Sequence, residues 1–360
     1  MSTPAVAAPT SPNAPAESAG AREAIVTVRE LSKAFPVRRG WSEIARRPWR
    51  RAGRVTVVDR VSFDVGPAEF FGLLGANGAG KTTLFRMLST QLLPDGGTAR
   101  IAGCDIVRNP REVRSLLTPV VADERSLNWR LTARENLELF AALYAVPRNR
   151  VRERVTQLLE AVELHEAGTK MVGTFSSGMK QRLLIARALL PKPRVLLLDE
   201  PTRSLDPVSA RRFRQFLREE IAGRQGCTVL LATHNAEEAF ELCDRVAVLD
   251  RGRLLAVGRV EELMGEVRDD RYRMTVRAGQ VDLAVRTLGE MGRAGVRELE
   301  GRGPEGWAVL ELPIPGGPGG AADVVSRLSR AGIDVAGVEH RPLTLADLLE
   351  RMVRLKAGSR

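Results

Sequence analysis

The chain is most constrained where the unbroken apolar run Phe70-Phe-Gly-Leu-Leu74 stops at Gly75 and continues as Ala-Asn-Gly-Ala-Gly-Lys81-Thr82. An apolar run without alternation reads as a strand buried on both faces, and such a strand needs a covered parallel sheet around it. The segment that follows fits G-x-x-x-x-G-K-[ST]. Its glycines let the backbone turn tightly enough for successive N–H groups to face one anion. A helix expected from Lys81 to about Thr90 turns its positive end toward the same point. Lys81 would then neutralise β- and γ-phosphate oxygens, and the Thr82 hydroxyl would reach Mg2+. Gly75, Ala76, Asn77, Gly78, Ala79, Gly80, Lys81, Thr82 and Thr83 thus form a candidate site for a nucleotide with Mg2+. A chain with 33 glycines can match such a pattern by chance, but the buried-strand prefix and helical suffix argue against that. Alone, the match indicates a nucleotide and not a class.

A second feature fits the first. Val195-Leu-Leu-Leu198 is another apolar run, and it ends in Asp199-Glu200-Pro201. In phosphate-loop enzymes the first such acid holds Mg2+, so Asp199 joins Thr82 as a candidate metal ligand. Glu200 is then placed to take a proton from an attacking water. The plainer alternative, solvated acids in a turn, weakens beside the glycine loop, since paired motifs support a context as single ones cannot.

The remaining pattern suggests a parallel α/β core. Ile25 to Arg29 alternates like an edge strand, and Val55 to Val65 reads as two strand pieces around Asp59-Arg60. Val107 to Leu190 reads as mostly helical, with apolar residues at helical spacing over Leu137 to Tyr144 and Val151 to Val162. Thr228 to Ala232 returns to buried-strand character after a helix over Ala210 to Ile221. Val246 to Leu249 and Arg253 to Val257 suggest a closing hairpin around Arg251-Gly252. Beyond about Gly265 the order becomes strand, helix, strand, helix, strand: Tyr272 to Val276, Val281 to Met291, Ala308 to Leu312, Ala322 to Ala331 and Ile333 to Glu339. Pro313 to Gly320 reads as a flexible loop within it, and Leu345 to Leu355 as a final helix.

Composition excludes some classes. Hydrophobic residues make up 44%, yet no stretch approaches the ~20 apolar residues that cross a bilayer. A membrane role therefore needs another polypeptide. Cys104, Cys227 and Cys243 form neither a zinc-ligand pair nor a disulfide framework, which fits a cytosolic setting. Residues 1–22 are rich in Ala, Pro and Ser without an apolar core, so a disordered tail is expected there, not a signal peptide. Net charge is +11, largely from Arg. That suits an anionic membrane surface or nucleic acid, or is compositional bias.

Phe175-Ser-Ser-Gly-Met-Lys-Gln-Arg182 narrows the class. It resembles the signature of ABC ATPases, usually Leu-Ser-Gly-Gly-Gln, in a variant form, and lies a short helix upstream of Asp199 as in that family. Ser204-Leu205-Asp206 resembles the loop after the catalytic glutamate. His234, in Ala232-Thr-His-Asn235, resembles the switch histidine. The ordered set covers roughly Ile25 to Leu263. The resemblance implies an α/β phosphate-loop NTPase core of the ABC ATPase kind over 23–264. Antiparallel β and helical subdomains would belong to it, the helical one at about 107–190, with a small C-terminal α+β domain over 265–360. It implies ATP hydrolysis in a head-to-tail homodimer, where Ser176, Ser177 and Gly178 of one copy reach the γ-phosphate held by the other. Glu200, His234, Lys81 and Asp199 would be catalytic, Phe35 would stack on adenine, and Asp206 would lie in a nucleotide-binding loop.

Some positions depart from the family pattern. Where a glutamine usually senses the γ-phosphate and Mg2+, this chain has Asp123, followed by Glu124 and Arg125. A carboxylate can accept from metal-bound water but cannot donate. Ser177 and Met179 vary the signature, and Arg203 is unusual before Ser204, with no reason visible in the sequence. Pro36 to Arg54 is a basic insertion holding Trp41 and Trp49. It reads as a solvated loop or as an interfacial element for anionic headgroups.

Asp123 to Tyr144 and Pro342 to Leu349 resemble subunits serving ABC-2 type export permeases, including drug and polysaccharide exporters. That resemblance implies a separate ABC-2 type transmembrane permease as partner and a cytoplasmic place at the inner face of the cell membrane. Arg130 to Leu139 would face the permease. The alternative is a soluble ABC ATPase acting on a ribosome or nucleic acid. The translation-factor branch carries two nucleotide domains per chain, and the repair branch inserts coiled coils or zinc cysteine pairs. Neither pattern is present here, so no nucleic acid partner is expected. A third reading, a regulatory subunit with weak hydrolysis, follows from Asp123.

Overall fold

The structure, a computed structural model, describes residues 24–37, 53–121, 126–224, 226–266, 271–291, 295–299, 304–315 and 317–340. The expectations for residues 1–22, for most of the basic insertion, for Asp123, for Pro342 to Leu349 and for Leu345 to Leu355 fall outside them.

The apolar runs build one central sheet, ordered Arg253–Arg259, Arg245–Asp250, Phe70–Leu74, Thr228–Thr233, Val195–Asp199, Leu117–Val121. All are parallel except Arg253–Arg259, which returns along the edge as the expected hairpin. Side chains within the runs alternate between two cores. Phe70, Leu196, Leu198, Val229 and Leu231 enter the one shared with the helical segments. Phe71, Leu73, Leu197, Leu230 and Ala232 enter the other, shared with the helix Lys81–Leu88 and an antiparallel sheet. With both faces covered a strand needs no polar side, so the sequence shows no alternation.

The antiparallel sheet is ordered Arg54–Val65, Val26–Pro36, Gly96–Ile101, Cys104–Asp105. Phe63 stacks on Phe71 with ring centroids 5.2 Å apart and ties this sheet to the central one. Arg54–Val65 is one continuous strand rather than two pieces. Arg60 takes a φ of 48°, and shifts in the pairing with Val26–Pro36 absorb the irregularity. Gly96–Ile101 was not anticipated, since Gly-Gly-Thr-Ala-Arg-Ile is mostly polar and all of it but Ala99 and Ile101 is exposed.

The segment expected to be mostly helical from Val107 to Leu190 also contains a strand. Leu117–Val121 follows the short helix Pro110–Leu116 and forms the edge of the central sheet. An edge strand has one side free of ladder bonds, which is where Pro119 is tolerated. Helices Ala133–Leu143, Arg148–Ala161 and Ser177–Leu189 then share a core through Leu137, Leu158 and Leu184. The first carries a capping box: Glu135 N donates to Thr132 Oγ1 at 3.2 Å, and Thr132 N donates to Glu135 Oε2 at 2.8 Å.

Beyond residue 270 a third sheet, wholly antiparallel, is ordered Arg297–Leu299, Trp307–Pro313, Arg271–Arg277, Val335–His340. Helices Val281–Glu290 and Gly317–Arg330 pack on it around Met274, Leu288, Leu310 and Val324. The stretch expected as a loop, Pro313 to Gly320, instead begins that last helix at Gly317. A Cβ on Gly320 would sit 2.3 Å from the Pro315 carbonyl oxygen, so only glycine lets the chain close into the first turn.

Candidate functional site

Topology assembles the site. Phe70–Leu74, Thr228–Thr233 and Val195–Asp199 are neighbours running the same way. The residues leaving their C-terminal ends therefore meet: the glycine loop from the first, His234 from the second, Glu200 from the third. Parallel sheets bind ligands at this edge. Gly75 N donates to the Thr233 carbonyl at 3.2 Å and Glu200 N to the Ala232 carbonyl at 2.9 Å, which fixes the three ends together.

Sterics shape the glycine loop. A Cβ on Gly75 would lie 2.4 Å from the Leu249 carbonyl oxygen, and one on Gly80, at φ 106°, 2.6 Å from the Val57 carbonyl oxygen. Ala76, Asn77 and Gly78 are exposed at the mouth, while Ala79 and Lys81 are buried and Thr83 half-buried. Lys81 Nζ donates to the carbonyls of Gly75 at 2.6 Å and Ala76 at 3.1 Å. Burial pushes the Lys81 ammonium down in pKa, against the attraction of Glu200 and Asp199. Burial likewise pushes the Asp199 carboxyl up, opposed by the Thr82 hydroxyl, which donates to Oδ2 at 2.8 Å. Thr82 and Asp199 present the paired hard oxygens that Mg2+ takes while keeping water ligands, so these residues fit the ion. A polyphosphate at the loop mouth would favour the charged form of Lys81 that burial disfavours.

Glu200 joins the pieces. Its backbone φ is 49°, unusual for a residue with a Cβ. Oε1 lies 2.9 Å from His234 Nδ1, and Oε2 lies 3.6 Å from Arg203 Nη1. The Glu200 side chain is 15% exposed and that of His234 46%. Arg203, unexplained in the sequence, is thus the second partner of this carboxylate. Glu238 is a residue that sequence reasoning missed. It is 1% exposed and accepts from the hydroxyls of Thr202 and Thr233, so it braces the turn after Glu200 against the strand before His234. Only helical phase separates it from exposed Glu237. Asn235 sets that phase by capping both N–H groups.

The signature residues stand elsewhere. Ser176 caps the helix Ser177–Leu189, its Oγ accepting from Met179 N at 3.3 Å, with Ser177 and Gly178 in the first turn. Ser176 and Gly178 line a cleft with Glu163, Arg182 and Arg212, and no glycine-loop residue joins them there. Asp206 caps the helix Pro207–Phe216, accepting from Val208 N and Ser209 N at 3.0 Å each, and the Ser209 hydroxyl together with these bonds holds its carboxyl below the usual range. Phe35 is 37% exposed, not core, with Lys33 Nζ 5.7 Å from its ring centroid.

Known proteins share this arrangement. Residues 58–203 match the family model for ABC transporters. Over 300 residues the chain is 37% identical to the daunorubicin resistance ATP-binding protein DrrA3 of Streptomyces coeruleorubidus, spanning 83% of this chain and 92% of that protein. The chain belongs to the ATP-binding proteins of ABC transporters. This ABC ATPase is also 35% identical over 322 residues to the doxorubicin resistance ATP-binding protein DrrA of Mycobacterium tuberculosis, spanning 85% and 94% of the two chains. It is 41% identical over 215 residues to the Nod factor export ATP-binding protein I of Ralstonia nicotianae, spanning 60% and 66%. In fold it resembles cbiO1 of Clostridium perfringens, part of an ABC transporter complex, with a TM-score of 0.58 and 24% identity over 75% of this chain and 98% of that one. The expected α/β phosphate-loop fold is the one observed, and the ABC ATPase binds and hydrolyses ATP. No helix among the described residues is long and apolar enough to cross a membrane.

Proposed function

We propose that this ABC ATPase drives export through a separate ABC-2 type permease, at the inner face of the membrane, as a homodimer closing on two ATP molecules. The observation that carries the reading is a division. Lys81, Thr82, Asp199, Glu200 and His234 lie together at one sheet edge, while the signature helix start opens into a different cleft. A γ-phosphate held by the first group can meet the second only across two copies. Relatives named for drug resistance and Nod factor export support the direction of transport. Residues 23–264 would form the nucleotide domain. The third sheet, with its own core, supports a separate accessory domain over 265–360.

In this reading the glycine-loop N–H groups and Lys81 hold the β- and γ-phosphates. Thr82 and Asp199, with Asp123 proposed from sequence alone, would hold Mg2+, which neutralises phosphate oxygens when bound. Glu200 accepts the proton of the attacking water, and His234 fixes Oε1 and faces the terminal phosphate. Ser176, Ser177 and Gly178 of the partner copy close the site with uncompensated N–H groups of a helix start. The rate gain comes from positioning and fixed electrostatics.

Two results test the proposal. Glu200→Gln protein sedimented with ATP and Mg2+ shifts from monomer to dimer, and Ser176→Arg added to it cancels the shift. A protein that stays monomeric at high concentration with ATP bound would sink the sandwich. Phe35→Ala weakens ATP binding by about five- to thirtyfold in a calorimetric titration, as loss of about 1–2 kcal/mol of base stacking requires. An unchanged affinity would leave Phe35 as a solvent-exposed edge of the sheet.

A further inference from the structure

A cleft of about 800 Å³ lies apart from every residue assigned to hydrolysis. It opens between the end of the helix Pro110–Leu116, the start of the helix Arg148–Ala161 and the turn after the helix Ser177–Leu189. Arg114, Arg150, Arg154 and Lys192 line it against a single carboxylate, Glu153, whose Oε1 already accepts from Gln157 at 3.0 Å. Among the described residues none of these four cations forms an ion pair. Arg154 is half-buried: Nη2 donates to the Leu189 carbonyl at 2.6 Å, and Nε is buried without a partner. Burial pushes its guanidinium down in pKa. A desolvated charge lacking a counterion is costly, so the cleft favours an anion.

The helix Arg148–Ala161 adds to this. Its 14 residues follow Pro147, on the cleft wall, with no side-chain cap and no acid in the first turn. Arg150 N turns back to the Pro147 carbonyl at 2.8 Å, while the positive end of the helix meets neither an acid nor a side-chain cap there. Val146, Pro147, Leu190 and Pro191 give the wall an apolar part, with the ring of Tyr144 alongside, and Ser115 and Gln157 add polar groups to it. The volume is that of a small-molecule pocket, far larger than a bare phosphate fills.

We infer that this cleft binds a phosphate ester carrying an apolar or aromatic body, the phosphate among the four cations and the body against Tyr144, Val146 and Leu190. An anionic lipid and a free organic phosphate both have this chemistry. The site is independent of the hydrolytic reading, because it shares no residue with it.

The test is calorimetric, on the full chain with ADP filling the glycine loop. The probes are dihexanoyl phosphatidylglycerol, dihexanoyl phosphatidylcholine and glycerol 3-phosphate. The first binds, the zwitterionic lipid binds at least about tenfold more weakly, and reversing two exposed cations with Arg150→Glu and Lys192→Glu weakens the first by at least about tenfold. ADP affinity and basal ATPase stay unchanged in that variant, which also reports that it is folded. Glycerol 3-phosphate, which has no apolar body, binds at least about tenfold more weakly than the lipid, and equal binding would overturn the seat assigned to that body. Equal affinities in variant and parent, or no binding of either phosphate by the parent, overturn the inference. So does a double variant that keeps phosphate binding but loses the permease, which would make the cleft a protein-docking surface. Arg150→Gln alone, expected to weaken binding about threefold, serves if the double variant fails to fold.

Discussion

Lys81→Ala lowers nucleotide affinity by at least about thirtyfold, measured as binding of a fluorescent ATP analogue. Truncating one member of a desolvated charge pair costs about 2–5 kcal/mol, much of it from the charge left without its partner. Lys81 meets that condition: it is 5% exposed, and its nearest acceptors are the loop carbonyls of Gly75 and Ala76. Those are neutral groups, so the triphosphate is the partner that would match the ammonium in charge. Stability without nucleotide changes little, because the burial that disfavours the ammonium and the two hydrogen bonds that hold it are removed together. A binding loss with a nearly unchanged melting temperature therefore separates a ligand-binding role from a structural one. Lys81→Arg does not rescue, since a planar guanidinium cannot enter the same curl of backbone. Wild-type retention of nucleotide by Lys81→Ala would remove the glycine loop from the mechanism.

The parts of this site legible in the sequence are those where sterics or burial force a residue type. Gly75 and Gly80 are required by carbonyls of Leu249 and Val57 within 2.6 Å of where a Cβ would stand. The apolar runs before Gly75 and Asp199 are required by cores on both faces. Parallel strands with such ends bring their following loops together, so the meeting of Lys81, Asp199 and Glu200 followed from the pattern, whereas the part of His234 was implied only by the family resemblance. What stayed hidden depends on contacts distant in sequence. Leu117–Val121 was concealed by Pro119, which excludes a central strand but not an edge one. Glu238 gave no signal because its neighbour Glu237 has the same charge and opposite exposure. Arg203 acquires a reason only when Glu200 turns back at positive φ and offers Oε2 to it. The Gly-rich start of Gly317–Arg330 reads as a loop by composition, yet a close carbonyl makes glycine the residue that admits a helix there.

Glu200→Gln reduces kcat for ATP hydrolysis by about 10²–10⁴-fold, the span for loss of a positioned general base, while ATP affinity stays within about threefold. The substitution keeps side-chain shape and a hydrogen-bonding atom toward His234 Nδ1, 2.9 Å from the present Oε1. It removes the lone pair basic enough to accept a proton. Because ground-state contacts persist, the loss falls on kcat and not on KM. His234→Ala is expected to be severe as well, since it frees the carboxylate from the contact that orients it. The two changes together are then no worse than Glu200→Gln alone, because residues acting as one unit give non-additive losses. Phosphate release by the purified chain, measured for both single variants and the pair, decides the point. Multiplying losses would mean that His234 works apart from Glu200, and an undiminished rate in Glu200→Gln would place the base elsewhere.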